Sequence, residues 1–129
     1  MAIDFEQCRK NFRQRATARE VASEKLRQQA REMAIAAIFQ VIPQYPCIRE
    51  VHLFGSITQP RQFHDHSDID IAVGGTDATT YFAVWRDLEV ACPNWLIDLR
   101  EINQPSHFTD TVRRIGELVY ESTNSTAQS

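Results

Sequence analysis

With 129 residues, 43% of them hydrophobic, the chain is sized for a single domain around one core. Charged residues make up 24% and the net charge is −3, so no whole-molecule field draws the protein onto nucleic acid or an acidic membrane, and any anionic ligand has to be held locally. Cys8, Cys47 and Cys92 are odd in number and lack Cys-x-x-Cys spacing, which fits neither a disulfide framework nor a zinc site; they read as buried thiols in a reducing compartment. The start of the chain has no basic stretch followed by an apolar one, and no apolar run reaches the roughly 20 residues of a membrane span. A cytoplasmic protein without membrane contact is expected.

Charge is unevenly distributed: residues 1–32 carry eight Lys/Arg against five Asp/Glu, and the remaining 97 carry six against twelve. Acidic surroundings suit a divalent cation better than a bare phosphate chain, so a phosphate ligand is expected to arrive with metal attached.

From Asp4 to about Val41 there is no Gly or Pro. In the second half of that stretch Ala30, Met33, Ala34, Ala37, Ile38 and Val41 recur at three- and four-residue steps, the stripe of a helix packed on a core, and Pro43 and Pro46 end it. In the first half Phe5, Cys8 and Phe12 form a thin stripe among Arg9, Lys10, Arg13, Arg15 and Arg19. Strands are predicted at Glu50–Phe54, Asp68–Val73 and Trp95–Arg100, the last two alternating so that apolar residues share one face and the aspartates the other. Between them a helix is expected over Thr79–Ala91, capped by Thr76 or Asp77, with Phe82, Trp85 and Leu88 on one side. A last helix is expected from about Ser106 to Ile115, using Phe108, Val112 and Ile115 and terminated by Gly116; Leu118-Val119-Tyr120 then docks on the core. The tail, Ser122–Ser129, is polar and aperiodic and is expected to be disordered.

The chemistry concentrates in residues 51–75. A strand ending in Gly55-Ser56 puts a residue without a Cβ where a phosphate must approach the backbone, and a hydroxyl with successive N–H groups beside it. Pro60 interrupts the following helix after one turn and leaves a loop to His66. Asp68 and Asp70, two apart on one strand, project on the same face, where two like charges repel unless a cation sits between them. Asp98, on the solvent-side parity of another strand, would complete a three-carboxylate cluster suited to two-metal phosphoryl chemistry with magnesium if that strand lies beside the second. Arg61, in the loop, is within reach of a phosphate. Loop residues His64 and His66 lack a third ligand for zinc, Arg100 offsets the charge of Asp98, and Tyr81, Trp85 and Trp95 read as core.

Leu53-Phe54-Gly55-Ser56, Phe63-His64, Ser67-Asp68-Ile69-Asp70-Ile71-Ala72-Val73 and Leu96-Ile97-Asp98-Leu99 together resemble the nucleotidyltransferase superfamily that includes DNA polymerase β. The resemblance is stronger to its minimal nucleotidyltransferase (MNT) branch, prokaryotic antitoxins paired with HEPN-domain toxins, and Gly116-Glu117-Leu118-Val119-Tyr120-Glu121 looks like these antitoxins too. It implies an α+β fold, with a mixed three-stranded core sheet, flanking helices and a long N-terminal helix. The activity it implies is transfer of a nucleoside monophosphate, AMP from ATP, to a hydroxyl such as a tyrosine of a HEPN ribonuclease toxin. By the same matching Gly55 and Ser56 hold the β- and γ-phosphates, Asp68 and Asp70 bind Mg2+, and Asp98 shares a metal and helps to deprotonate the acceptor.

This reading divides the chain into a helical extension (1–28), a nucleotidyltransferase domain (29–121) and a tail (122–129). The extension serves as a partner-binding arm, as a dimerisation element that makes a homo-oligomer, or as a long helix packed on the domain. Two other readings compete with the toxin-modifying enzyme: an antitoxin that neutralises by contact alone, and a nucleotidyltransferase acting on a small-molecule hydroxyl. The second lacks a further domain to form an acceptor cleft. Direct nucleic-acid binding is not expected from the acidic balance.

Overall fold

The protein is described here from a computed structural model covering residues 4–122. Of the tail expected to be disordered, residues 123–129 lie outside the described residues.

Helix α1 runs Phe5–Val41, with the Asp4 side chain accepting from the Gln7 backbone N–H at its start and a 3₁₀ turn through Pro43 at its end. At 1.5 Å per residue its 37 residues extend about 55 Å, longer than the domain needs. Only its second half is embedded: Ala30, Ala34, Ala37, Ile38 and Val41 are buried, whereas Phe5 and Phe12 are each 67% exposed. Small alanines on that face let the helix lie close against the sheet.

The three predicted strands form as β1 (Glu50–Phe54), β2 (Ile69–Gly74) and β3 (Ile97–Glu101), and a fourth, β4 (Glu117–Glu121), joins them in the order β3-β2-β1-β4. The pair β1/β2 is antiparallel, β1/β4 antiparallel with an irregularity at Val51/His52, and β2/β3 parallel. A parallel pair requires a crossover, which α2 (Ala78–Ala91, capped by Asp77) supplies. Helix α3 (His107–Ile115, capped by Ser106) leads into β4.

Alternation along the strands sorts the two sheet faces. Val51, Leu53, Ile69, Ile71, Val73, Ile97 and Leu99 point towards α1 and α2 and form the main core with Val84 and Leu88. Trp85 Nε1 and the Tyr81 hydroxyl donate to the carbonyls of Ile97 and Leu99 at 2.9 and 2.5 Å, so α2 is fixed to β3 as well as packed on it. On the other face Ala72 and Ile102 pack with Val112, Phe54 and Phe108, and α3 covers only part of it.

Four side chains depart from the sequence expectation. Phe82 and Ile115, assigned to the buried sides of their helices, are 65% and 62% exposed; Val84 and Val112 take the inward positions. Of the three thiols only Cys92 is buried, and that burial raises its pKa; Cys8 lies on the exposed half of α1 and Cys47 in the turn before β1.

Candidate active site

The face that α3 leaves partly open carries the acidic residues. Phe54 of β1, Asp70 of β2 and Asp98 of β3 are register partners across three adjacent strands, so their side chains stand in one row. Neighbouring strands lie about 4.8 Å apart, which forces two carboxyl groups together at one end of the β2/β3 pair. Asp70 is half-buried and its pKa is pushed up to about 6, first by burial, then by the charges of Asp98 and Asp68, with Arg100 opposing the shift and hydrogen bonding with Asp98 adding to it. Arg100, two residues beyond Asp98 on the same face, has its guanidinium 3.6 Å from an Asp98 oxygen and 5.8 Å from the Phe108 ring centroid.

Gly55 follows β1 directly and opens a four-residue 3₁₀ turn, Gly55–Thr58, at φ +74°, where a side chain is strained. A Cβ at this position would run into the Asp70 carboxylate, with Asp70 Cγ at 3.2 Å. The glycine thus brings the turn against the acid pair, a reason additional to the phosphate approach expected from sequence. Thr58 Oγ1 donates to the Gly55 carbonyl at 2.8 Å, and Ser56 is half-buried beside it. Helix α1 fastens this loop from behind: the Ser23 hydroxyl donates to the Phe63 carbonyl at 2.5 Å and Arg27 to the Ile57 carbonyl at 2.9 Å.

Asp68 and Arg61 sit further out. Asp68 precedes β2 instead of lying within it, is exposed, and lines a cleft of about 180 Å³ with Asp65, Asn94, Trp95 and Leu96. Arg61 is exposed at φ +71° and faces α1, in a groove with Glu20, Val21, Glu24 and Pro60; the cation that acts on Asp70 is Arg100. Among the described residues no three His, Cys, Asp or Glu side chains are disposed to enclose a metal ion. Of the expected three-carboxylate cluster, Asp70 and Asp98 form the centre, and Asp68 stands at the rim because the strand begins one residue after it. The pair nevertheless suits a divalent cation: two hard oxygen donors, one of them half-buried and repelled by its neighbour's charge, meet beside a glycine that leaves space.

Sequence reasoning undervalued the surroundings of the pair. Phe54 and Phe108 meet edge to face, with ring centroids 5.4 Å apart, and wall one side. Glu50 and Arg113 tie α3 to β1 through two hydrogen bonds of 3.0 and 2.9 Å. Phe54 carried a signal in its parity with Asp70; the partner of Arg113 could be found only from the fold.

Chains from several crystal structures share this architecture. One belongs to a doubly substituted toxin–antitoxin complex MntA–HpeT (TM-score 0.57, 21% identity, 73% of this chain and 78% of that chain). A second comes from a toxin–antitoxin complex with AMP-PNP (TM-score 0.57, 24% identity, 73% and 78%). A third comes from a singly substituted MntA–HpeT complex (TM-score 0.53, 25% identity, 70% and 75%). No curated protein matches the chain. The family described as Polymerase beta, Nucleotidyltransferase matches residues 36–125, from the embedded half of α1 through the acid-bearing strands to β4 and beyond. With that span matched and Gly55, Asp70 and Asp98 brought to one point on the sheet, the chain belongs to the polymerase β nucleotidyltransferase family.

Proposed function

We propose that this chain is an antitoxin-type nucleotidyltransferase that moves AMP from ATP to a tyrosine hydroxyl of a HEPN ribonuclease toxin. The observation that carries the chemistry is the register pairing of Asp70 with Asp98 beside the Gly55 turn. What directs it towards a toxin is the likeness to chains of toxin–antitoxin complexes, one of them with an ATP analogue.

In this reading the backbone of Gly55 and Ser56 would receive the β- and γ-phosphates, and Asp70 and Asp98 would hold Mg2+, with Asp68 approaching from the rim. When bound, the metal neutralises phosphate charge and lowers the pKa of the attacking hydroxyl. A tyrosine hydroxyl, with a pKa of about 10, needs a base close by. Asp98 takes the phenolic proton, the phenolate oxygen bonds to the α-phosphorus, and the bond from that phosphorus to the β-phosphate bridging oxygen breaks, releasing pyrophosphate. Residues 29–121 constitute the catalytic domain and residues 1–28 an extension.

Incubation with ATP, Mg2+ and the partner toxin is expected to raise the toxin's intact mass in steps of about 329 Da, AMP less water. Asp98→Asn is expected to bind the toxin and leave its mass unchanged. Silencing of the toxin by wild type with no mass change and no nucleotide requirement would replace this reading with neutralisation by contact.

A further inference from the structure

The first half of α1 combines properties that the rest of the fold does not use. Residues 7–19 hold Arg9, Lys10, Arg13, Arg15 and Arg19 and no acidic residue. Phe5 and Phe12, one heptad apart, are each 67% exposed. At 100° per residue, Phe5, Cys8, Phe12 and Ala16 lie on the helix face that later buries Ala30, Ala34, Ala37 and Val41. The stripe made for packing therefore continues past the domain into open space, flanked by cations. This arm also precedes the segment matched to the family, residues 36–125.

Being part of one continuous helix, the arm is unable to fold back onto its own domain. The body of the chain, by contrast, is acidic, with six Lys/Arg against twelve Asp/Glu over residues 33–129. Its cleft beside the acid pair is mostly polar, with the carboxylates of Asp65 and Asp68 and the Asn94 amide, and carries two apolar side chains, Trp95 and a Leu96 that is 68% exposed. A basic helix face carrying an exposed aromatic matches a small acidic cleft of about 180 Å³: the carboxylates of Asp65 and Asp68 can pair with its cations, and Trp95 and Leu96 can meet one phenyl ring. Two arms of like charge would repel if paired directly. Each chain thus carries both halves of a complementary contact and can join them only with another copy.

Their placement suits reciprocal exchange. The arm leaves the domain where Ser23 and Arg27 hold the loop at Phe63 and Ile57, and Asp65 and Asp68 follow two and five residues after Phe63. Arm and cleft sit at the same end of the molecule, as a closed two-fold contact requires. We propose that the arm of α1, residues 5–19, docks on a second copy of this chain in the cleft formed by Asp65, Asp68, Trp95 and Leu96, and that the two copies exchange arms.

The test is sedimentation equilibrium of the full-length chain, up to about 100 µM, at about 50 and 500 mM salt. A dimer is expected at low salt, with its dissociation constant raised at least about tenfold at high salt. Arg9→Glu/Arg13→Glu, on a part of the helix that supports no core contact, and Asp65→Lys, at an exposed position, are each expected to weaken the dimer about tenfold or more, and Phe12→Ala likewise. An equimolar mixture of the Arg9→Glu/Arg13→Glu and Asp65→Lys chains re-forms one of the two contacts with reversed charges, and is expected to associate more tightly than either variant alone. Circular dichroism verifies the helix in every variant. A monomer at all concentrations overturns the proposal, as does a dimer indifferent to these substitutions, loss on the arm side with none at Asp65, or a monomer whose arm binds a labelled RNA instead.

Discussion

At the residue scale the site is organised by one glycine and one carboxylate that share a space. Gly55 has no Cβ, so the turn closes on Asp70, and Asp70 in turn meets Asp98 in register. The cost falls on Asp70, whose carboxyl is held near 6 against an ordinary value of 3.8. A raised folded-state pKa means that the folded chain binds the proton more tightly, so ionising Asp70 opposes folding above about pH 6, and this penalty disappears as pH falls towards 3.8. Asp70→Asn removes the charge but keeps the shape. Without metal it is expected to be more stable than wild type above pH 6, by about 1–2 kcal/mol once solvent screening of a half-open group is allowed for, with the gap closing between pH 6 and 4. With Mg2+ and ATP the order is expected to reverse, because only wild type gains stability from the ligand. Thermal melts across pH, with and without Mg2+·ATP, check this; a mutant less stable than wild type at pH 8 without metal would count against the strained pair.

At the element scale, α3 leaves part of the acidic face uncovered because it is short and clamped at one end. Arg113, in its last turn, holds Glu50 with two hydrogen bonds, and His52, almost fully buried, adds its Nε2 to the same carboxylate at 2.9 Å. Arg113 is the largest influence keeping the Glu50 pKa below its ordinary 4.5, ahead of the opposing effect of burial. A depressed pKa contributes stability above the unfolded value and loses it as pH falls through the folded one. Arg113→Ala is therefore expected to cost about 1 kcal/mol near neutrality, with the difference shrinking below about pH 4, measured by urea unfolding. Amide exchange in α3 is expected to quicken more than in α2. The strands and helices were legible in the sequence because periodicity reports burial directly: the alternation of β2 and β3 fixed both the core face and the parity of Asp70 and Asp98. Positions whose burial depends on how much surface a neighbour covers were not legible. Phe82 and Ile115 have the right spacing and apolar character, yet both remain mostly exposed. Asp68 has the right parity, yet β2 starts one residue too late to include it. The edge position of β4 and the Glu50–Arg113 clamp join residues 63 or more apart, a relation that a local pattern does not encode.

At the scale of the whole molecule, α1 ties the outer arm, the loop from Gly55 to Phe63 and the core into one rod. Its contacts with the loop begin at Ser23 and Arg27. The residues before them bear on no part of the core cluster, whose outermost α1 member is Leu26. Removing residues 1–20 is expected to leave a folded monomeric domain, with Tm lowered by no more than about 3 °C. Arg27 is a different case. Its side chain is 11% exposed, and it pairs with Glu24 at 2.6 Å while donating to the Ile57 carbonyl behind the Gly55–Thr58 turn. Arg27→Ala leaves that carbonyl without its charged donor and is expected to cost about 1–3 kcal/mol. Because the same carbonyl belongs to the turn that closes on Asp70, the substitution is also expected to weaken Mg2+·ATP binding several-fold, whereas the deletion leaves nucleotide affinity within about twofold of wild type. Calorimetric titration of both variants separates the two roles. Equal nucleotide affinity in the Arg27 variant and wild type would mean that the loop holds its shape without α1, and a deletion that unfolds would place Phe5 and Phe12 in the core after all.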